Sequence, residues 1–431
     1  MERFALASLS KWKKSKNRKP LIIQGARQVG KTWLMKEFGK REYEQVAYIN
    51  FESSDALKSI FREDFDVNRL ITAFQIETGI RIRPENTLII LDEIQEAERG
   101  ITSLKYFCEN APEYHIIAAG SLLGITLHQN SSFPVGKVDF LTLYPMSFNE
   151  FLLALGQEQL YELLESHDWP MITQFKAKLI GHLRHYYFIG GMPEVVSSYL
   201  SENDFDMVRS IQKNLLSAYE HDFSKHAPAE LVPRIKMLWQ SIPSQLAKEN
   251  KKFIYGVVKQ GGRAKEFELA LAWLTDCGLV HQVHRISKAA VPLIAYLDTS
   301  AFKLFILDVG LLSAMSGLTR QTILHGNSIF SEFKGALAAQ FVLQHLKIRQ
   351  DVQVYYWSSD TARAELDFAI QNKDRIIPIE VKAEENLKAK SLKSFYEKFN
   401  PALSVRTSMS DYRAESWLTN VPLYAFESFP L

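Results

Sequence analysis

Only two cysteines occur, Cys108 and Cys277, far apart and outside any CxxC spacing. Neither a disulfide framework nor a cysteine-rich zinc site is expected, and a reducing compartment is indicated. Long apolar runs are lacking too: Leu88-Ile89-Ile90-Leu91 is far short of the ~20 residues that a membrane helix needs. The basic cluster from Lys11 to Lys19 has no apolar signal core before it. A cytoplasmic protein with no membrane partner is expected. An excess of one charge sign is also missing, since 51 basic and 49 acidic residues leave a formal net charge of +2. That balance argues neither for nor against a nucleic-acid partner, because a local basic face can hide in it. There is no internal repeat and no low-complexity tract.

What is present is an ordinary globular composition, 46% hydrophobic and 12% aromatic over 431 residues. Such a length suggests about three domains. Residues 20–24, 46–51, 87–91 and 114–118 read as short strands. Helical patterns fall between them, from Thr32 to Phe38, Asp66 to Glu77 and Ser103 to Asn110. Alternating strands and helices predict an α/β domain over 1–165, with a parallel sheet covered on both faces. Over 166–229 strands fade, and 173–189 and 204–221 carry helix-spaced apolar residues on either side of Gly190-Gly191-Met192-Pro193. Residues 230–310 read as a further small unit, helices followed by the strand pair GLVHQVHRI and FKLFILDVG. Residues 311–431 return to mixed α/β, with a helix at 332–347 and strands in YYWSS, ELDFAIQ and RIIPIEVKA.

Gly25-Ala26-Arg27-Gln28-Val29-Gly30-Lys31-Thr32 fits GxxxxGK[ST]. The glycines let the backbone curl so that its N–H groups face phosphate oxygens, and the following helix adds its dipole. Lys31 can reach the β- and γ-phosphates, and the Thr32 hydroxyl can ligate Mg²⁺. Thr87-Leu88-Ile89-Ile90-Leu91-Asp92-Glu93 supplies the partner strand. An apolar parallel strand carries ligand groups at its C-terminal end, so Asp92 would hold the Mg²⁺ shell and Glu93 would polarise the attacking water. A third strand, Ile116 to Ala119, ends in Gly120-Ser121. Ser121 suits a γ-phosphate contact and equally a helix cap. Three sources offer a cation for the γ-phosphate: Arg27, Lys137, or an arginine of a neighbouring subunit. Nothing identifies the base pocket, and no Asn-Lys-x-Asp guanine signature is visible.

These strings resemble a largely uncharacterised family of prokaryotic AAA-type P-loop ATPases. The resemblance is carried by GARQVGKTWL, YINFE, LIILDEIQ, AAGS, GKVDFLTLYPMSFNEFL and GGMPEVV, then by WLTDCGLV, FKLFILDVGLL and YYWSS…ELDFAI…IEVKA. It implies ATP and Mg²⁺ binding at Gly25 to Thr32, with Trp33, Asp92 and Ser121. It also implies a winged-helix segment and a C-terminal domain of unknown function similar to the PD-(D/E)xK nucleases.

In that domain Asp367 is followed thirteen residues on by Ile379-Glu380-Val381-Lys382. Positions i and i+2 of a strand share a face, so Glu380 and Lys382 emerge together, and a hairpin through 371–374 can bring Asp367 beside them. Two carboxylates and a lysine suit Mg²⁺ and a phosphodiester; an edge hairpin with a surface ion pair fits the same spacing. Pro378 points to an edge or bulged position. One departure stands out: Ala339 sits where the family pattern has a helix glutamate, with Glu332 seven residues upstream.

In the winged-helix candidate, Phe267, Leu271 and Leu274 share a core face. Arg263 and Lys265 suit DNA phosphates, whereas Glu266 and Glu268 beside them suit a packing or protein-binding role. The pairs His182/His185, His221/His226 and His281/His284 lack zinc-type companions and read as packed or surface residues. The expected function is a Mg²⁺-dependent ATPase whose nucleotide state acts on the appended domains. The alternatives are an ATP-gated, DNA-processing nuclease and a slowly hydrolysing nucleotide switch that binds a protein partner or a second copy.

Overall fold

A computed structural model describes residues 1–53, 55–120, 133–248, 251–325, 331–349, 352–359, 364–385 and 388–431. The chain folds as two compact units, one made of Glu2–Tyr144 with Asp276–Gly278, the other of Pro145–Thr275 with Leu279–Leu431. Among the described residues no helix is long and apolar enough to cross a membrane.

In the first unit, β1 (Leu21–Gln24), β2 (Gln45–Asn50), β3 (Thr87–Asp92), β4 (His115–Ala119) and β5 (Asp139–Thr142) form a parallel sheet in the order β2-β3-β4-β1-β5. β3 and β4 are buried along their whole length, which is why they read as nearly unbroken apolar runs. The helices Lys31–Glu42, Val67–Thr78 and Gly100–Asn110 fall between these strands in sequence. The second of them starts where the Asp66 side chain accepts the Arg69 N–H and stops at Gly79, whose φ is +66°. The register sets Asn50, Asp92, Ala119 and Ile23 level at the C-terminal edge. After β1 the chain crosses to the far edge and returns, leaving β4 and β5 on either side of β1. Open α/β sheets bind ligands at such a reversal.

The second unit begins with helices. Lys176–Ile189 and Phe205–His226 coincide with the two expected helical patterns. The break between them is tied to a distant segment. Buried Asp308 caps the helix Val309–Met315, its Oδ1 accepting the Leu311 N–H at 3.0 Å. Its Oδ2 accepts the Gly191 N–H at 2.7 Å and Gln344 Nε2 at 3.4 Å. Gly190 has φ +76°, and a Cβ there would stand 2.1 Å from Asp308 Oδ1. A Cβ on Gly191 would meet the Met146 carbonyl oxygen at 2.0 Å, and one on Gly310 the Ile189 carbonyl oxygen at 2.4 Å. Burial pushes the Asp308 carboxyl above its ordinary pKa, while the N–H donors pull the other way.

The remaining strands are β6 (Val280–Ile286), β7 (Leu297–Ile306), β8 (Gln353–Ser358), β9 (Glu365–Asn372), β10 (Arg375–Val381), β11 (Val405–Ser408), β12 (Arg413–Ala414) and β13 (Thr419–Pro422). They form one sheet in the order β12-β13-β11-β10-β9-β8-β6-β7, so the sheet runs across residue 310. β8, β9 and β10 are an antiparallel meander, and β11 joins parallel to β10 after the helix Lys390–Phe399. That helix lays Leu392 and Phe395 against Tyr355, Trp357, Leu366 and Ala369. Phe267, Leu271 and Leu274 are buried, as their spacing predicts. Pro378 corrects an expectation: β10 is central rather than an edge. The proline is tolerated because pairing with β11 starts only at Ile379, leaving no ladder N–H to supply on that side.

Candidate active site

The turn between β1 and the helix Lys31–Glu42 spans residues 25–30. Gly25, Gln28 and Gly30 have φ of +140°, +65° and +93°. Glycine takes such angles freely, while Gln28 holds strain of about 1–3 kcal/mol, the kind stored where a loop is shaped for a ligand. A Cβ on Gly25 would lie 2.2 Å from the Leu143 carbonyl oxygen, so only glycine fits. Ala26 and Val29 are buried, Arg27 is half-buried and Gln28 is exposed. Buried Arg3 holds the loop, donating to the Val29 carbonyl at 3.1 Å and the Tyr144 carbonyl at 2.6 Å. No sequence pattern announces Arg3, because its partners lie far along the chain.

Lys31 is 7% exposed, and its ammonium donates to the carbonyls of Gly25 at 2.9 Å and Ala26 at 2.8 Å. Burial lowers its pKa to about 8, against the opposing pull of Glu93 and Asp92. Asp92 is 3% exposed at the tip of β3. Its Oδ2 accepts the Thr32 hydroxyl at 2.7 Å and the Tyr48 hydroxyl at 2.9 Å. No local pattern in the sequence marks Tyr48, whose place follows from the pairing of β2 with β3. Glu93 follows with φ +49°, and its Oε2 accepts Gln95 Nε2 at 2.5 Å. Thr32 and Asp92 are hard oxygen ligands set side by side, a donor set that fits Mg²⁺. Trp33 is 39% exposed on the same helix, Lys137 is ion-paired with Glu109 at 2.9 Å, and Ser121 lies outside the described residues.

A triphosphate favours the charged form of Lys31, whereas burial in the free protein favours the neutral form. Binding above pH 8 therefore requires proton uptake. Affinity for MgATP is expected to hold from pH 7 to about 8 and then fall by up to about tenfold per pH unit. Titration calorimetry across that range checks this; constant affinity from pH 7 to 9.5 would refute it.

In the second unit the predicted trio comes together. Asp367 Oδ2 accepts the Val381 N–H at 2.9 Å, and Lys382 Nζ stands 2.7 Å from Glu380 Oε1. Glu380 is buried, so its pair with Lys382 is not the surface ion pair of the alternative reading. Ala339 is fully buried, and the Glu332 side chain lies outside those described. Among the described residues no group of three or more His, Cys, Asp or Glu side chains could hold a metal ion.

Residues 17–152 match the sequence model of a family described as an AAA domain. Residues 180–322 and 334–426 match two domains of unknown function, DUF8612 and DUF4143. No match was found among curated proteins. Among solved structures the chain is similar to the Walker-type ATPase PABY2304 of Pyrococcus abyssi, at 14% identity and a TM-score of 0.45, over 73% of this chain and 95% of that one. It is also similar to the Aeropyrum pernix ORC1 protein in complex with DNA, at 12% identity and a TM-score of 0.27, over 73% and 90% of the two chains. Cdc6p from Pyrobaculum aerophilum gives 11% identity and a TM-score of 0.26, over 74% and 94%. The family match over 17–152, with the parallel sheet and phosphate loop it covers, makes the N-terminal part of this chain an AAA-type P-loop ATPase domain.

Proposed function

We propose that the chain is a Mg²⁺-dependent ATPase that couples its nucleotide state to the appended regions, winged-helix-like over 230–310 and nuclease-like over 311–431. The observation that carries this reading is the 2.7 Å contact of Thr32 Oγ1 with Asp92 Oδ2, beside the buried ammonium of Lys31. The N–H groups of residues 25–32 would bind the phosphates, with Lys31 on the β- and γ-oxygens. Thr32 and Asp92 would hold Mg²⁺, which when bound supplies positive charge to the phosphate oxygens. Glu93 takes a proton from water as the water oxygen bonds to the γ-phosphorus and the bond to the bridging oxygen breaks, releasing ADP. Arg27 or an arginine of a second copy would meet the developing charge.

The order of helix, three antiparallel strands, helix and parallel strand over 331–408 supports the nuclease-like reading of the C-terminal fold. Exposed Arg263 and Lys265 at the start of the helix Ala264–Asp276 support a DNA contact, although exposed Glu266 and Glu268 oppose it. ATP turnover measured with and without added DNA or RNA tests the coupling. Stimulation of about tenfold is expected for a nucleic-acid client. A second reading, a slowly hydrolysing switch with a protein partner, is favoured by the hydrogen bond that engages Glu93 with Gln95. Turnover near zero that no nucleic acid raises would select the switch.

A further inference from the structure

The C-terminal charge cluster is larger than the trio read from the sequence. Three carboxylates each face an ammonium. Lys303 Nζ lies 2.7 Å from Glu365 Oε1, Lys251 Nζ 3.1 Å from Asp367 Oδ1, and Lys382 Nζ 2.7 Å from Glu380 Oε1. The second oxygens of Asp367 and Glu380 are engaged as well, by the Val381 N–H at 2.9 Å and the Leu392 N–H at 3.1 Å. A divalent ion of the Mg²⁺ type takes about six oxygen ligands, several of them from water, and to bind through Asp367 or Glu380 it would compete with these donors.

Displacement is costly here. Lys303 is 1% exposed, and driven off its carboxylate it would be a buried, unpaired charge. Lys251 is held in place by its own segment. Two residues on, the Phe253 N–H donates to the Phe302 carbonyl at 2.8 Å, and the two rings stack at 5.1 Å. Lys251 and Lys303 therefore flank one backbone contact. Burial alone would raise the Asp367 pKa, yet Lys251 and Lys303, with the Val381 N–H, hold it down at about 2. The helix position where the nuclease pattern has an acid is Ala339, fully buried.

We propose that Lys251 and Lys303 supply the positive charge that a nuclease-type site would take from a divalent metal, so that this domain holds no metal and cuts no phosphodiester. The inference rests on the nuclease-like reading of the fold and is independent of the nucleotide site. Residues 251–254 are thereby fastened to the C-terminal sheet by an internal ion pair.

The test has two arms on the full chain. In the first, Mn²⁺ binding to nucleotide-free protein is counted by electron paramagnetic resonance. Wild type and Asp367→Asn are expected to bind the same number of ions, and neither to cut plasmid or single-stranded DNA with Mn²⁺. One ion fewer in Asp367→Asn, or cutting that this change abolishes, overturns the proposal. The second arm is a stability cycle of Lys251→Met, Asp367→Asn and the double variant. The double variant is expected to be at least about tenfold more stable, as an unfolding constant, than the two single effects sum to. Simple additivity overturns the ion pair. Should Lys251→Met not fold, Lys251→Arg keeps the charge and is expected to fold with wild-type stability, and its failure overturns the pair too. The cycle tests the ion pair whatever the fold is likened to, and the ion count tests the exclusion of metal.

Discussion

Glu93→Gln is expected to bind MgATP as tightly as the native chain and to hydrolyse it about 10²- to 10⁴-fold more slowly. The amide keeps the size and one acceptor oxygen of the carboxylate but cannot take a proton from water. In the proposed site the phosphate contacts would rest on residues 25–32 and the metal contacts on Thr32 and Asp92, whose hydroxyl–carboxylate pair this change leaves alone. Glu93 stands just past the buried tip of β3 with left-handed backbone, so its carboxylate is aimed by the chain as well as by Gln95. Single-turnover hydrolysis beside equilibrium binding checks both halves. Native turnover in the variant would remove Glu93 from the proton transfer and leave the loop assignment standing.

Asp308→Ala is expected to lower the stability of the second unit by about 3 kcal/mol or more. The carboxylate joins segments over a hundred residues apart, and its loss strands the buried N–H groups of Gly191 and Leu311 without this acceptor. Chemical denaturation followed by tryptophan fluorescence reads the effect. Asp308→Asn, which keeps one carbonyl oxygen, should fall between native and alanine. A change under about 0.5 kcal/mol, typical of a surface site, would show that the junction is not where the stability lies. The same geometry gives Gly190, Gly191 and Gly310 a structural reason, since each would press a Cβ onto an oxygen closer than 2.5 Å.

What could be read before folding follows from the range of the interactions. The phosphate loop was legible because its chemistry is local: glycines for positive φ at 25 and 30, a lysine and a threonine at the helix start. β3 was legible because a strand buried on both faces has no polar position between Thr87 and Asp92. Arg3, Tyr48, Lys251 and Lys303 were not, because each gains its role from a partner 26 or more residues away. GGMP read as a break between helices, and its meeting with Asp308 could not be foreseen from spacing. Pro378 sits in a central strand because a proline in a sheet is excluded only where the ladder needs its N–H, and here the β11 ladder starts one residue later. The continuous sheet from β7 to β12 is not legible in the sequence because its joint, β6 beside β8, is only two residue pairs long.

The Gly25–Thr32 turn is proposed to grip a triphosphate opposite Asp92. Calorimetric titration of the folded chain with MgATP, alongside Lys31→Ala, tests it most directly. The native chain should give a saturable one-site isotherm, and the variant should bind at least about 100-fold more weakly, since a buried charged donor is lost. A flat titration of the native protein, or equal affinity in the variant, would contradict the account.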